Sequence, residues 1–168
     1  AIVVNGDVNP IAALLRGEAP AWPADPPDVE DFLREARYHG VMPLLDAHFR
    51  TLVPDSHVED RWPDAIRRAC RDDALVQAMT EFRRRTELVS VLTESAKAGI
   101  APLILKGTAL AYSHYADPVL RPRADTDLLV APSDRESAMR VLQTLGYRRV
   151  SGPAGANVGY QAEMTRID

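Results

Sequence analysis

The chain has 168 residues, 46% of them hydrophobic and 26% charged, which excludes a disordered polymer and leaves room for one hydrophobic core with a small helical annex. Its 20 Lys and Arg against 24 Asp and Glu give a formal charge of −4, which argues against a basic protein that coats DNA or RNA. The one cysteine, Cys70, excludes an intrachain disulfide, and with no leader-like start and no run near the roughly 20 apolar residues of a membrane-spanning helix the expected location is the cytoplasm.

Thirteen prolines cut the first third into short pieces, crowding at Pro20, Pro23, Pro26 and Pro27 with others at Pro43, Pro54 and Pro63. Asp28 is an N-cap residue, Val29, Phe32, Leu33 and Ala36 follow at helical spacing, and Gly40 is a natural stop, so the spacing predicts an amphipathic helix over 29–39. Pro43 opens the next helix, 43–52, at its first position. Beyond Pro63 a long helix runs to Gly99, with Leu75, Met79, Phe82, Val89, Leu92 and Ala96 as its apolar face and Arg83, Arg84, Arg85 and Glu87 mostly on the other.

After Gly99 the pattern changes. Residues 102–106 (Pro-Leu-Ile-Leu-Lys) read as a buried strand, Gly107-Thr108 as a tight turn, and Ala109 to Tyr115 as a helix. Residues 126–130 form a second strand. A helix over 132–145 is capped by Ser133 with Glu136 three residues on, and Gly146 ends it. A third strand is expected at 147–150, a loop at 151–156 and a further strand over 158–167. Helices thus occupy residues 1–98 and an α/β core residues 99–168, an α+β (mixed α/β) arrangement with a small mixed sheet flanked by helices.

Asp125 and Asp127 lie two apart at the start of the second strand, so both carboxylates leave one face, about 6.5–7 Å apart at Cα. Two such oxygens suit a hard cation such as Mg²⁺, whose other ligands are water and phosphate, and they repel one another unless a cation or proton compensates. A bare Asp-x-Asp is also an ordinary strand-edge pair. Gly107 and Thr108, between strand and helix, offer backbone N–H groups and the positive end of a helix to a phosphate, and the same glycine serves a plain tight turn. Lys106 precedes them. Arg121 and Arg123 either bind triphosphate oxygens or clasp the neighbouring aspartates.

Taken together, Leu105-Lys-Gly-Thr-Ala-Leu110, Tyr115, Arg121, Asp125-Thr-Asp-Leu-Leu-Val130 and Leu145-Gly-Tyr147 resemble the uncharacterised nucleotidyltransferase family of the DNA polymerase β-like superfamily. Upstream, Ala36 to Leu45 and the long helix running into Ala98-Gly-Ile100 are similar to that family's helical lead-in. The resemblance implies a polymerase β-like fold. It also implies transfer of a nucleoside monophosphate from an NTP, with Mg²⁺ or Mn²⁺ held by Asp125 and Asp127 and release of pyrophosphate. Gly107 and Thr108 would then hold the β- and γ-phosphates, and Lys106, Arg121 and Arg123 would neutralise charge. The acceptor is left open among a small molecule, a protein side chain and RNA. The family implies a third carboxylate on a later strand. Only Glu163 and Asp168 are late acids, so the expectation is a chain that is C-terminally incomplete and short of one metal ligand.

Other residues carry less. His39, His48 and His57 are nine apart, which fits neither one helix face nor a metal site, and His114 and Cys70 read as helix-surface and helix-face residues. The rival to catalysis is a degenerate nucleotide site retained as a binding or regulatory module, antitoxin-like in kind. A third alternative makes the long helix an oligomerisation or scaffold surface.

Overall fold

Capping chemistry sets most helix boundaries in the computed structural model, which describes residues 9–18, 22, 28–52, 62–150 and 162–166. The first piece among the prolines is α1 (Pro10–Leu15), started by Asn9, whose Oδ1 accepts from Ile11 N at 2.9 Å and Ala12 N at 3.3 Å. Helix α2 (Val29–Tyr38) begins as expected, with Asp28 Oδ1 accepting from Glu30 N at 2.8 Å. It ends at Gly40, whose φ of +65° lets Val41 N donate to Ala36 O and Gly40 N to Arg37 O, both at 3.0 Å. Helix α3 (Met42–Leu52) starts one residue before Pro43, and α4 (Asp64–Lys97) runs 34 residues before Gly99 closes it. The clustered prolines 20, 23, 26 and 27, Pro54, His57, the 151–156 loop and Asp168 lie outside the described residues.

The chain divides into two compact units, each built from two stretches: residues 1–82 with 107–125, and residues 83–106 with 126–168. In the first, Ile11 and Leu14 of α1, Phe32 and Ala36 of α2, Met42, Leu45 and Phe49 of α3, and Ile66 and Cys70 of α4 gather around Trp62. Trp62 packs against Trp22, Phe32 and Phe49 with ring centroids 4.9, 5.6 and 5.4 Å apart. Burying each large side chain of this kind contributes about 1.5–3 kcal/mol, which makes the aromatic knot the anchor of this unit.

The apolar face expected on α4 is not the buried one. Leu75, Met79, Phe82 and Val89 are exposed, whereas Ile66, Cys70, Ala74 and Glu81 are buried in the first unit and Val91 and Ser95 in the second. At 3.6 residues per turn these six positions share one face of the helix, and the large apolar residues lie roughly opposite. The physical reason is that Ile66 and Cys70 are the α4 side chains taken into the aromatic cluster, and that Glu81 is admitted to the buried face by the buried cation Arg123.

In the second unit β1 (Leu103–Leu105) pairs antiparallel with β2 (Asp127–Leu129), in the register Leu103↔Leu129, Ile104↔Leu128 and Leu105↔Asp127. The expected buried strand is only half-buried. Among the described residues this sheet has two strands, and Leu103 and Leu129 lie opposite one another at 59% and 54% exposure. Residues Pro132–Asp134 form a 3-10 turn ahead of α6 (Arg135–Thr144). Ser133 therefore sits inside that turn and donates to Asp134 Oδ1, and the expected Ser133 cap does not form. Strands β3 (Arg148–Arg149) and β4 (Met164–Thr165) make a second antiparallel pair. The class is α+β: helices accompanied by two small antiparallel sheets. Among the described residues no helix is long and apolar enough to cross a membrane.

Candidate functional site

Strand β1 passes directly into α5 (Lys106–Ser113), and the sharp bend falls on Lys106 rather than on Gly107. Lys106 has φ of +49°, the one non-glycine residue with positive φ among those described. For a side chain with a Cβ that conformation costs about 1–2 kcal/mol. Backbone strain of this kind persists where the surroundings over-determine it, and it concentrates at functional turns. Here the β1–β2 register sets Leu105 opposite Asp127, and Lys106 Nζ donates to Asp127 Oδ1 at 2.8 Å. The lysine side chain is 67% exposed and the aspartate 23%, so the pair stands at the rim of the second unit.

Gly107 does not need a left-handed backbone. A Cβ built there would meet only the Arg123 side chain, at 3.7 Å from its Cβ and 3.9 Å from its Cδ, which is ordinary contact. What the glycine provides is therefore a bare backbone at the head of α5, whose first N–H groups have no partner within the helix. Thr108, next in line, is buried, and its Oγ1 donates to the backbone carbonyl of Asp125 at 3.4 Å.

Arg123 is spent inside the first unit. Its Nη1 lies 2.8 Å from Glu81 Oε2, Nη2 donates to Glu81 Oε1 at 3.0 Å, and Nε donates to Thr108 Oγ1 at 3.1 Å. Its side chain is 4% exposed and that of Glu81 6%. Of the two alternatives open for this arginine, phosphate ligand or clasp, the geometry is that of a clasp, made to a carboxylate 42 residues away and not to the neighbouring aspartates. Tyr112 OH also donates to Glu81 Oε1, at 2.7 Å, while the Arg123 guanidinium lies 5.6 Å from the tyrosine ring centroid. Partial burial pushes the Tyr112 phenol above its usual pKa, and the hydrogen bond to Glu81 pushes the same way.

Arg121 is held differently. Its Nη1 reaches Tyr115 OH at 3.3 Å, its Cζ lies 5.6 Å from the Tyr115 ring centroid, and its buried Nε has no hydrogen-bond partner among the described residues. Asp125 is exposed, just before β2, and Asp127 is half-buried. Among the described residues no three His, Cys, Asp or Glu side chains converge on a common point. Glu163, preceding β4, is exposed. His39 is an exposed residue at the end of α2, and His114 is exposed with Nδ1 2.7 Å from Ser113 Oγ. Cys70 is a helix-face residue as expected, on the buried face of α4 within the aromatic core, and burial pushes its thiol up to about 12.

Sequence reasoning missed Glu81 and the role of Tyr112. The signal for Glu81 was present in one respect: at helical spacing it falls in line with Ile66, Cys70 and Ala74, a phase in which an acid requires a buried partner. Nothing local identifies that partner as Arg123.

No curated protein and no solved structure matches the chain. Residues 25–168 match the family described as uncharacterised nucleotidyltransferase, a span that includes the strand-turn-helix, both arginines and both aspartates. On that match, most of its length, the chain belongs to the uncharacterised nucleotidyltransferase family.

Proposed function

We propose that the chain performs nucleotidyl transfer that depends on Mg²⁺ or Mn²⁺. An acceptor oxygen attacks the α-phosphorus of an NTP, the bond to the bridging oxygen of the β-phosphate breaks, and pyrophosphate leaves as the acceptor's proton passes to solvent. Family membership carries the general reaction class. The observation that supports the rest is the Lys106–Asp127 ion pair: a cation 2.8 Å from Asp127 Oδ1, at the head of a helix preceded by a strained turn. The donor set suits a hard cation, because Mg²⁺ takes one or two carboxylates and fills its remaining positions with water and substrate phosphate. When bound, that ion neutralises charge on the phosphates and orients them.

The chain's own residues take the following roles in this reading. Asp125 and Asp127 hold the cation. The backbone N–H groups of Gly107 and Thr108 receive the β- and γ-phosphates, with Lys106 and Arg121 supplying positive charge. Arg123, tied to Glu81, supports the segment that carries Asp125 instead of touching substrate. The acceptor is a hydroxyl-bearing small molecule, a protein side chain or RNA, and the setting is the cytoplasm.

The test is calorimetric titration of ATP, GTP, CTP and UTP with Mg²⁺ and then with EDTA. Binding that is lost with EDTA and in the double variant Asp125→Asn with Asp127→Asn, at unchanged thermal stability, is the expected result. Binding that survives the double variant sinks the site assignment. Absence of binding by the native chain moves the reading to the regulatory module.

A further inference from the structure

The Glu81–Arg123 pair lies on a continuous path of donors and acceptors that ends on the backbone of Asp125. We infer that Glu81 and Arg123 are positioning residues: they fix the Asp125 carbonyl against the first turn of α5, and so set where the Asp125 carboxylate can meet a divalent cation bound with an NTP.

Three observations carry this. First, the guanidinium meets Glu81 at two points, an ion contact of Nη1 with Oε2 at 2.8 Å and a hydrogen bond from Nη2 to Oε1 at 3.0 Å, while its Nε is aimed at Thr108. Second, Thr108 Oγ1 accepts from that Nε at 3.1 Å and donates to Asp125 O at 3.4 Å, so its hydroxyl relays the arginine's orientation to the aspartate's peptide. Third, the path is enclosed. Thr108 is 1% and Glu81 5% exposed, and Tyr112 OH holds the second side of Glu81 Oε1 at 2.7 Å. A buried ion pair held at two points transmits position better than a solvated one, because burial and two-point contact leave the guanidinium few other orientations. Position matters at a cation site because outer hydrogen-bond partners orient the ligands themselves.

The inference rests on the proposed cation and NTP site, and its test separates the two. Glu81→Gln alone leaves a buried guanidinium uncompensated, so the informative variant is the paired apolar replacement Glu81→Leu with Arg123→Met, which keeps volume and removes the path. Electron paramagnetic resonance of Mn²⁺, alone and with each of the four NTPs, gives affinities. Amide hydrogen exchange without any ligand gives local order. The expected result is a loss of about 10-fold or more in Mn²⁺–NTP affinity. Faster exchange at Gly107, Thr108 and Asp125 should accompany it, with α2 and α3 amides as protected as before. Affinity within twofold of the native protein overturns the inference. So does an Arg123→Lys loss that Glu81→Gln does not share, since that pattern marks a phosphate ligand. If the native protein binds no Mn²⁺–NTP, the functional reading falls. The exchange data then decide the positioning role alone, and unchanged exchange at those three amides overturns it.

Discussion

Lys106 and Gly107 exchange the roles their residue types suggest. The glycine was the natural candidate for the strained turn, yet the positive φ belongs to the lysine. Gly107→Ala is therefore expected to fold, with stability unchanged or raised by up to about 1 kcal/mol in urea titration, since alanine is the better helix residue and its Cβ meets only ordinary contacts. Nucleotide affinity is expected to fall in the same variant, because the methyl group covers backbone that a phosphate would approach. For Lys106→Gly two terms oppose. Relief of the left-handed backbone returns about 1–2 kcal/mol, and loss of a largely exposed ion pair removes at most about 1. The expected outcome is equal or slightly higher stability together with weaker NTP binding, read by urea unfolding and calorimetry on the same preparation. A large loss of stability would show that the turn is not held in the way described.

At the scale of the element, α4 shows how a correct helix can carry a wrong face. Its length and both ends were legible, because Pro63 and Gly99 bracket it and apolar residues recur at helical spacing. Two apolar stripes share that spacing, however, and the larger one is outside. Ile66→Ala is expected to cost about 2–4 kcal/mol, since the side chain is fully buried in the aromatic cluster and leaves a cavity. Met79→Ala, at a position 75% exposed, is expected to stay within about 0.5 kcal/mol. Thermal unfolding of the two variants side by side checks the orientation of the helix, and comparable losses would put the notion of an outward Met79 aside. The same limit applied to α6. Its capping-box letters were present, but the residues around Ser133 fold as a 3-10 turn that uses the serine first.

Across the whole molecule the buried Cys70 thiol and the partly buried Tyr112 phenol give stability a pH dependence with a definite sign. Cys70 has its pKa raised from 9.0 to about 12 by burial, with Asp46 and Asp73 adding to it. The unfolded chain therefore releases that proton at lower pH than the folded one. Stability from this source is complete below about pH 9 and is lost as pH rises towards 12. Tyr112, also raised, works in the same direction at the alkaline end. Urea midpoints are expected to decline through that window, and the decline to be shallower in Cys70→Ala once its own cavity loss is subtracted. A thiol reagent at neutral pH should label Cys70 only in denaturant. Rapid labelling of the native protein would contradict its burial.

The sequence by itself determined what depends on neighbours along the chain. Asp28 and Gly40 marked α2, the change of period after Gly99 marked the passage from helix to strand, and the string from Leu105 to Val130 carried the family. These follow from capping, periodicity and motif spacing, all of which are local. Tertiary structure decided what depends on residues far apart in the chain. It chose the face of α4 that is buried, left β1 and β2 as a half-buried ribbon, and gave Arg123 to Glu81 rather than to the adjacent aspartates. The physical reason is that a buried charge must find whatever opposite charge the fold brings within hydrogen-bond reach. That partner is set by packing between elements, which no run of neighbouring residues encodes.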